Sequence, residues 1–258
     1  MIKLIASDLD GTLLQNGAQS LQGDIFDMIC GLTKQGILFV AASGRQYTNV
    51  KRLFLPVWEQ IAFICENGSL TMQGDKTVRC QPVPWAMGQK IMADIQAAGL
   101  EVLLCCREAS YVTGKNRPFA DHMVYEMRNN VAIVEDLFSL PDEYLKISAY
   151  VPEKCAAKEA VAFQEKWGNY LNVAVAGDAW VDFTVADKGT ALKDLQVKLG
   201  LQKEEMIAFG DNFNDESMLQ AVGKGYIMAG ADPRLHKPGM QICHRVEDEL
   251  MLLLAQKG

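Results

Sequence analysis

The chain opens on an apolar run, Ile2-Lys3-Leu4-Ile5, followed without a break by Ala6-Ser7-Asp8-Leu9-Asp10-Gly11-Thr12. Ile25, Met28, Ile29 and Leu32 then repeat at helical spacing, Gly36 closes that element, and 37–42 is continuously apolar, the pattern of a parallel strand covered on both faces. A second helix through Val50, Leu53 and Phe54 stops before Pro56, and 61–65 supplies a third strand ending at Glu66-Asn67-Gly68. Far downstream the texture returns: a helix over 190–199, a strand over 206–209 ending at Gly210-Asp211, and a further strand over 225–228. Strands alternating with helices predict an α/β fold, a doubly wound parallel Rossmann-like sheet.

Between these halves the pattern changes. The segment bracketed by Pro82-Val83-Pro84 and Val185-Ala186-Asp187 predicts a helix over 87–98, a strand over 101–104 and a polar stretch over 111–121. A strand over 145–150, a helix over 156–167 and two alternating runs joined at Gly177-Asp178 complete it. The expected organisation is a core formed by 1–82 and 185–258 and an inserted α+β cap domain over 83–184, able to hinge over the site at the strand ends.

Composition narrows the class of partner. The 258 residues are 49 % hydrophobic and 22 % charged with a net charge of −7, which suits a globular protein and argues against general binding to nucleic acid or anionic membranes. Seven cysteines with no Cys-x-x-Cys spacing point to buried thiols in a reducing compartment. With no signal-like or spanning apolar run, the expected location is the cytoplasm.

Four polar clusters fall at predicted strand ends or helix starts, where open α/β sheets place ligands. Asp8 and Asp10 are spaced i, i+2, so strand alternation brings both to one side; two carboxylates so close call for a cation, a shared proton or both. Ser43-Gly44-Arg45 offers a hydroxyl and backbone N–H groups to a phosphoryl oxygen, although such a turn also serves as simple capping. Lys188-Gly189 opens a helix with an ammonium that either lies in water, as most lysines do, or neutralises phosphate. Gly210-Asp211-Asn212-Phe213-Asn214-Asp215 places hard oxygen ligands suited to Mg2+ beyond a buried strand, in a composition equally typical of a helix-capping turn.

With all four clusters present in this order, the chain resembles the haloacid dehalogenase superfamily of aspartate-nucleophile phosphatases. The long insert after Glu66-Asn67-Gly68 resembles the Cof-type branch with a large α/β cap of type IIB. The resemblance implies that Asp8 attacks phosphorus to form an aspartyl-phosphate and that Asp10 serves as general acid and base. It implies Mg2+ held by a carboxylate oxygen of Asp8, the backbone carbonyl of Asp10 and the side chain of Asp211, with Asp215 orienting this set from outside. Ser43, Lys188 and Asn214 would cradle the phosphoryl oxygens, and Thr12 and Gly44 would contribute backbone geometry. The stretch 181–187 departs from the family, which commonly shows a Glu and a Pro-Gly before the lysine.

The expected activity is therefore Mg2+-dependent hydrolysis of a small phosphorylated metabolite, a sugar phosphate first among them. Arg45 and Asn67 are the expected substrate contacts in the core, and Arg107, Lys115, Arg117, His122 and Lys146 are the polar candidates in the insert. Asp121 beside His122 suggests a dyad, yet no nucleophilic serine or cysteine motif accompanies it. Competing readings are a phosphotransferase or phosphomutase using the same aspartyl-phosphate, and a phosphate-ligand sensor without turnover. A kinase-dependent receiver is also conceivable, and the large insert argues against it.

Overall fold

The structure, a computed structural model, describes residues 1–21, 23–127, 130–140, 143–153 and 155–255. The chain divides into two compact units, Met1–Arg79 with Asp187–Gly258, and Cys80–Ala186. The first unit begins β1 (Leu4–Ser7), α1 (Ile25–Lys34), β2 (Leu38–Ala42), α2 (Tyr47–Leu53) and β3 (Ala62–Cys65), then turns through 66–68 into β4 (Leu70–Gln73) and β5 (Lys76–Cys80).

The second unit contains α3 (Trp85–Ala97), β6 (Glu101–Cys105), β7 (Ser110–Thr113), α4 (Arg117–Asp121), β8 (Val131–Val134), β9 (Lys146–Tyr150), α5 (Ala156–Trp167), β10 (Asn172–Ala176) and β11 (Trp180–Thr184). Its sheet runs β10-β11-β9-β6-β7-β8 and is antiparallel except for the β7–β8 pair. Val102, Leu104, Ile147, Ala149, Val181 and Phe183 pack on α3 and α5 through one face. Leu103 and Cys105 point the other way and meet Phe119, Ala120 and Met123 around α4. The stretch 111–121, polar in sequence, is thus not a loop: it completes β7 and forms α4, capped by the Asn116 side chain, which accepts from the Phe119 N–H, with Pro118 in the first turn.

The chain re-enters the first unit through α6 (Lys188–Leu199), β12 (Met206–Gly210), α7 (Glu216–Gln220), β13 (Lys224–Met228), β14 (Gln241–Cys243) and α8 (Val246–Ala255). The sheet order is β14-β13-β12-β1-β2-β3-β4-β5, parallel from β14 to β3 and antiparallel from β3 to β4. Register explains the apolar runs: Ala6, Val40, Ala62 and Ala208 face α6 and α7, packing on Ala191, Leu192, Leu195, Met218 and Leu219. Their strand neighbours Phe39 and Phe63 point the opposite way and close around Phe54 beyond α2. With both faces covered, β1, β3 and β12 have no exposed position. The carboxyl ends of β1, β2, β3 and β12 therefore lie side by side; β1, β2 and β12 lead into three of the four polar clusters, and β3 into Glu66-Asn67-Gly68.

Candidate active site

β1 ends at Ser7, and the Asp8 N–H still donates to the Phe209 carbonyl at 3.0 Å, carrying strand pairing one residue further. The chain then folds into a tight loop in which the Leu14 N–H donates to the Leu9 carbonyl at 2.7 Å and the Gly11 N–H to the Leu14 carbonyl at 3.0 Å. Gly11 has φ +88°, and a Cβ there would lie 2.1 Å from Asp211 Oδ2. Only glycine permits both this turn and the approach of Asp211 to the end of β1. Thr12 completes the junction, its Oγ1 donating to Asp211 Oδ1 at 2.9 Å.

Lys188, 1 % exposed at the start of α6, places Nζ 2.6 Å from Asp8 Oδ1 and 2.6 Å from Asp215 Oδ1. Asp187 aims it by closing a capping box: its Oδ1 accepts from the Thr190 N–H at 2.8 Å, and its own N–H donates to Thr190 Oγ1 at 3.1 Å. The other Asp215 oxygen accepts from the N–H groups of Asp211 and Asn212 at 3.1 and 3.0 Å. Asp215 thus shapes the loop that presents Asp211 while anchoring Lys188.

Asp8, Asp211 and Asp215 offer carboxylate oxygens that all lie within 4.8 Å of one another. Burial first, and the Asp215 carboxylate next, push Asp8 well above its ordinary value, against the pull of Lys188. The same two causes raise Asp211, opposed by its hydrogen bond from Thr12. Burial works against the Lys188 charge, yet Asp215 and Asp8 override it and hold the ammonium protonated. Three carboxylates, of Asp8 and Asp215 buried and of Asp211 partly so, against one ammonium form an oxygen cluster rich in negative charge, the donor set that a hard divalent cation such as Mg2+ fits.

At the end of β2, Ser43 is buried and its Oγ accepts from the Arg45 N–H at 3.1 Å. Arg45 reaches across to Asp10, with Nε 2.7 Å from Oδ2 and Nη2 on Oδ1. Past β3, Asn67 Oδ1 accepts from Asn214 Nδ2 at 3.1 Å and lies 2.8 Å from the place a Cβ on Gly44 would occupy.

Residues 5–249 match the family of haloacid dehalogenase-like hydrolases. The chain belongs to that family. The 5-amino-6-(5-phospho-D-ribitylamino)uracil phosphatase YbjI of Escherichia coli is 27 % identical over 234 residues, covering 89 % of this chain and 86 % of its own. HMP-PP phosphatase of Yersinia enterocolitica is 23 % identical over 256 residues, with 96 % and 92 % covered. A crystal structure from Eubacterium rectale matches at TM-score 0.86 and 25 % identity over 100 % of this chain and 99 % of that one. The HAD subclass IIB sugar phosphatase BT4131 shares the fold at TM-score 0.81 and 17 % identity, over 99 % and 98 %. The resemblance drawn from the motifs and the α/β fold class are both borne out, and this haloacid dehalogenase-like hydrolase is an enzyme of the phosphatase class.

Within the hydrolase, the core residues singled out in sequence occupy neighbouring loops, in two arrangements that strand alternation does not foresee. Asp8 and Asp10 have different partners: Asp8 is buried against Lys188, whereas Asp10, beyond the strand end, is exposed and held by Arg45. Asn67 contacts Asn214. In the second unit, Arg107 is paired with Glu143, Arg117 with Asp121, His122 with Glu126 and Lys146 with Asp182, while Lys115 is exposed. His122 and Asp121 therefore engage different partners. The Thr12–Asp211 bond joins chain segments 199 residues apart, and no local pattern signals it.

Proposed function

We propose that this hydrolase is a Mg2+-dependent phosphomonoesterase that works through an aspartyl-phosphate on Asp8. The observation that carries the reading is the buried Lys188 bridge between Asp8 and Asp215, with Asp211 beside it. A lysine so placed keeps Asp8 in one orientation and supplies positive charge where phosphoryl charge must be accommodated. Asp8, Asp211 and the backbone carbonyl of Asp10 would hold Mg2+, with Asp215 orienting them through its hydrogen bonds. Mg2+, when bound, supplies charge neutralisation that lets an anionic carboxylate approach an anionic phosphate.

The Asp8 carboxylate attacks phosphorus, the bond from phosphorus to the ester oxygen breaks, and Asp10 delivers a proton to the departing alkoxide. Water then attacks the aspartyl-phosphate, Asp10 takes the water proton, and the bond from phosphorus to Asp8 breaks to release inorganic phosphate and the free carboxylate. Ser43, with Gly44 beside it, and Asn214 with Lys188 donate to the phosphoryl oxygens through both steps. Arg45 acts as a substrate contact once it exchanges Asp10 for the phosphate.

The substrates are small soluble phosphorylated metabolites, sugar phosphates first, and the net charge of −7 disfavours a nucleic-acid polyanion or an anionic membrane surface. A cytoplasmic location accords with this, and among the described residues no helix is long and apolar enough to cross a membrane. The test is phosphate release from a panel of sugar, polyol, nucleotide and pyrimidine-containing monophosphates with Mg2+, with EDTA and with an added acceptor alcohol. Release that needs Mg2+ supports the reading, and phosphate appearing on the alcohol in place of water would assign a phosphotransferase.

A further inference from the structure

Glu66-Asn67-Gly68, at the end of β3, takes no part in the bond-making and bond-breaking steps above, yet it is a tightly constrained turn. Three consecutive residues have positive φ, 49°, 53° and 103°. Glycine adopts such angles freely and asparagine tolerates them, but glutamate does so only under strain. All three are buried. A strained conformation of this kind persists where its surroundings over-determine it, and here they do. The Glu66 N–H donates to the Arg45 carbonyl at 3.1 Å, the Asn67 N–H to the Ser43 carbonyl at 3.2 Å, and Arg79 Nη1 to the Gly68 carbonyl at 2.7 Å. A Cβ on Gly68 would lie 2.2 Å from the carbonyl oxygen of Asp187, the residue before Lys188. The turn is thereby fastened to the Ser43-Gly44-Arg45 loop on one side and abuts the start of α6 on the other.

From this rigid base the Asn67 side chain accepts from Asn214 Nδ2 at 3.1 Å. A carboxamide nitrogen carries two hydrogens. Asn67 Oδ1 takes one, and with that oxygen held in place the Asn214 amide keeps its nitrogen on this side, because flipping Asn214 alone would set two oxygens against each other.

We propose that Asn67 is a positioning residue for phosphoryl transfer: it locks the Asn214 carboxamide so that the remaining Nδ2 hydrogen is presented to a phosphoryl oxygen. The inference rests on the phosphatase reading and adds to it a residue that acts through Asn214. The strained turn is then the device that fixes Asn67 between two phosphate-binding loops.

The test compares the full-length wild-type enzyme with Asn67→Gly, Asn214→Ala and the double variant. Glycine is chosen because it adopts φ 53° more readily than alanine, so the turn survives while the carboxamide is lost. With p-nitrophenyl phosphate as substrate and inorganic phosphate as competitive inhibitor, Asn67→Gly should raise KM and the inhibition constant about 10-fold, the scale of one hydrogen bond to a charged group. Asn214→Ala should do at least as much, and the double variant no more than Asn214→Ala alone, at an unchanged Tm. A residue of purely structural importance would lower Tm and kcat without selectively weakening phosphate. Unchanged phosphate inhibition in folded Asn67→Gly, or effects of the two substitutions that multiply in the double variant, would overturn the inference while leaving the phosphatase reading intact. A wild-type enzyme that hydrolyses no phosphate ester would overturn both.

Discussion

The Arg45 guanidinium grips both oxygens of the Asp10 carboxylate, Nε on Oδ2 and Nη2 on Oδ1, while its Nη1 reaches Asn49 Oδ1 at 3.4 Å. A planar fork matched to a carboxylate fixes orientation as well as charge. Asp10, exposed and bound by Arg45, and Asp8, buried against Lys188, thus have the separate environments that separate roles require.

If Asp10 protonates the leaving oxygen, the loss on replacing it must depend on the leaving group. Asp10→Asn should lower kcat/KM, which reports the step that expels the leaving group, about 100-fold to 10,000-fold on an alkyl phosphate and much less on p-nitrophenyl phosphate, whose phenolate departs without help, while kcat, limited by hydrolysis of the aspartyl-phosphate, falls on both. Arg45→Ala should produce a smaller loss on both, and Arg45→Lys should not restore the fork. Steady-state kcat/KM on the two substrates decides this. Equal losses for Asp10→Asn on both would contradict the assignment.

Lys188 bridges two buried carboxylates, Asp8 and Asp215. Lys188→Met preserves volume but leaves those carboxylates unpaired, so the chelator-treated variant should be less stable by about 3–5 kcal/mol in urea unfolding. Added Mg2+ should return part of that stability without returning turnover. A variant as stable as wild type would show that the carboxylates are not charged as proposed.

Gly11→Ala would put a methyl group 2.1 Å from Asp211 Oδ2 at φ +88°. Backbone strain alone should cost about 1–3 kcal/mol, and displacement of Asp211 should weaken Mg2+ binding. Isothermal titration with Mg2+ is the check, and wild-type affinity in this variant would remove Asp211 from the metal set.

Burial and the Asp215 charge raise Asp8, and the same causes raise Asp211. An acid whose folded pKa exceeds its unfolded value holds its proton more tightly when folded. The metal-free fold is therefore penalised above the raised value, and the penalty disappears below the ordinary one of 3.8. Mg2+ competes with those protons, so the Tm increase on adding Mg2+ should be larger at about pH 7.5 than at about pH 5. An equal increase at both pH values would show that these carboxylates do not take up the ion.

The parallel core was legible because its strands are covered on both faces and read as unbroken apolar runs: β2, β3 and β12 fall where those runs lie. What escaped lacks that signature. β5 (Lys76–Cys80) is a mostly polar edge strand with no fully buried residue, and β14 is only three residues long. α4 and β7 hide in a polar stretch because their apolar residues, Val112, Phe119 and Ala120, are few and widely spaced. The site was legible as four separate motifs, each marked by its own residue types. Its assembly was not: Asp10 with Arg45, and Asn67 with Asn214, are pairings across 35 and 147 residues that local periodicity does not encode. Nor does the i, i+2 spacing reveal the different partners of the two acids, Lys188 for Asp8 and Arg45 for Asp10.

The central claim is that Asp8 accepts the phosphoryl group. The most direct measurement mixes p-nitrophenyl phosphate and Mg2+ with wild type, Asp10→Asn and Asp8→Asn, quenches in acid and maps phosphorylated peptides by mass spectrometry. A phosphoryl group on Asp8 that accumulates in Asp10→Asn and is missing, together with all turnover, from folded Asp8→Asn is the predicted result. Wild-type turnover by Asp8→Asn would contradict the account.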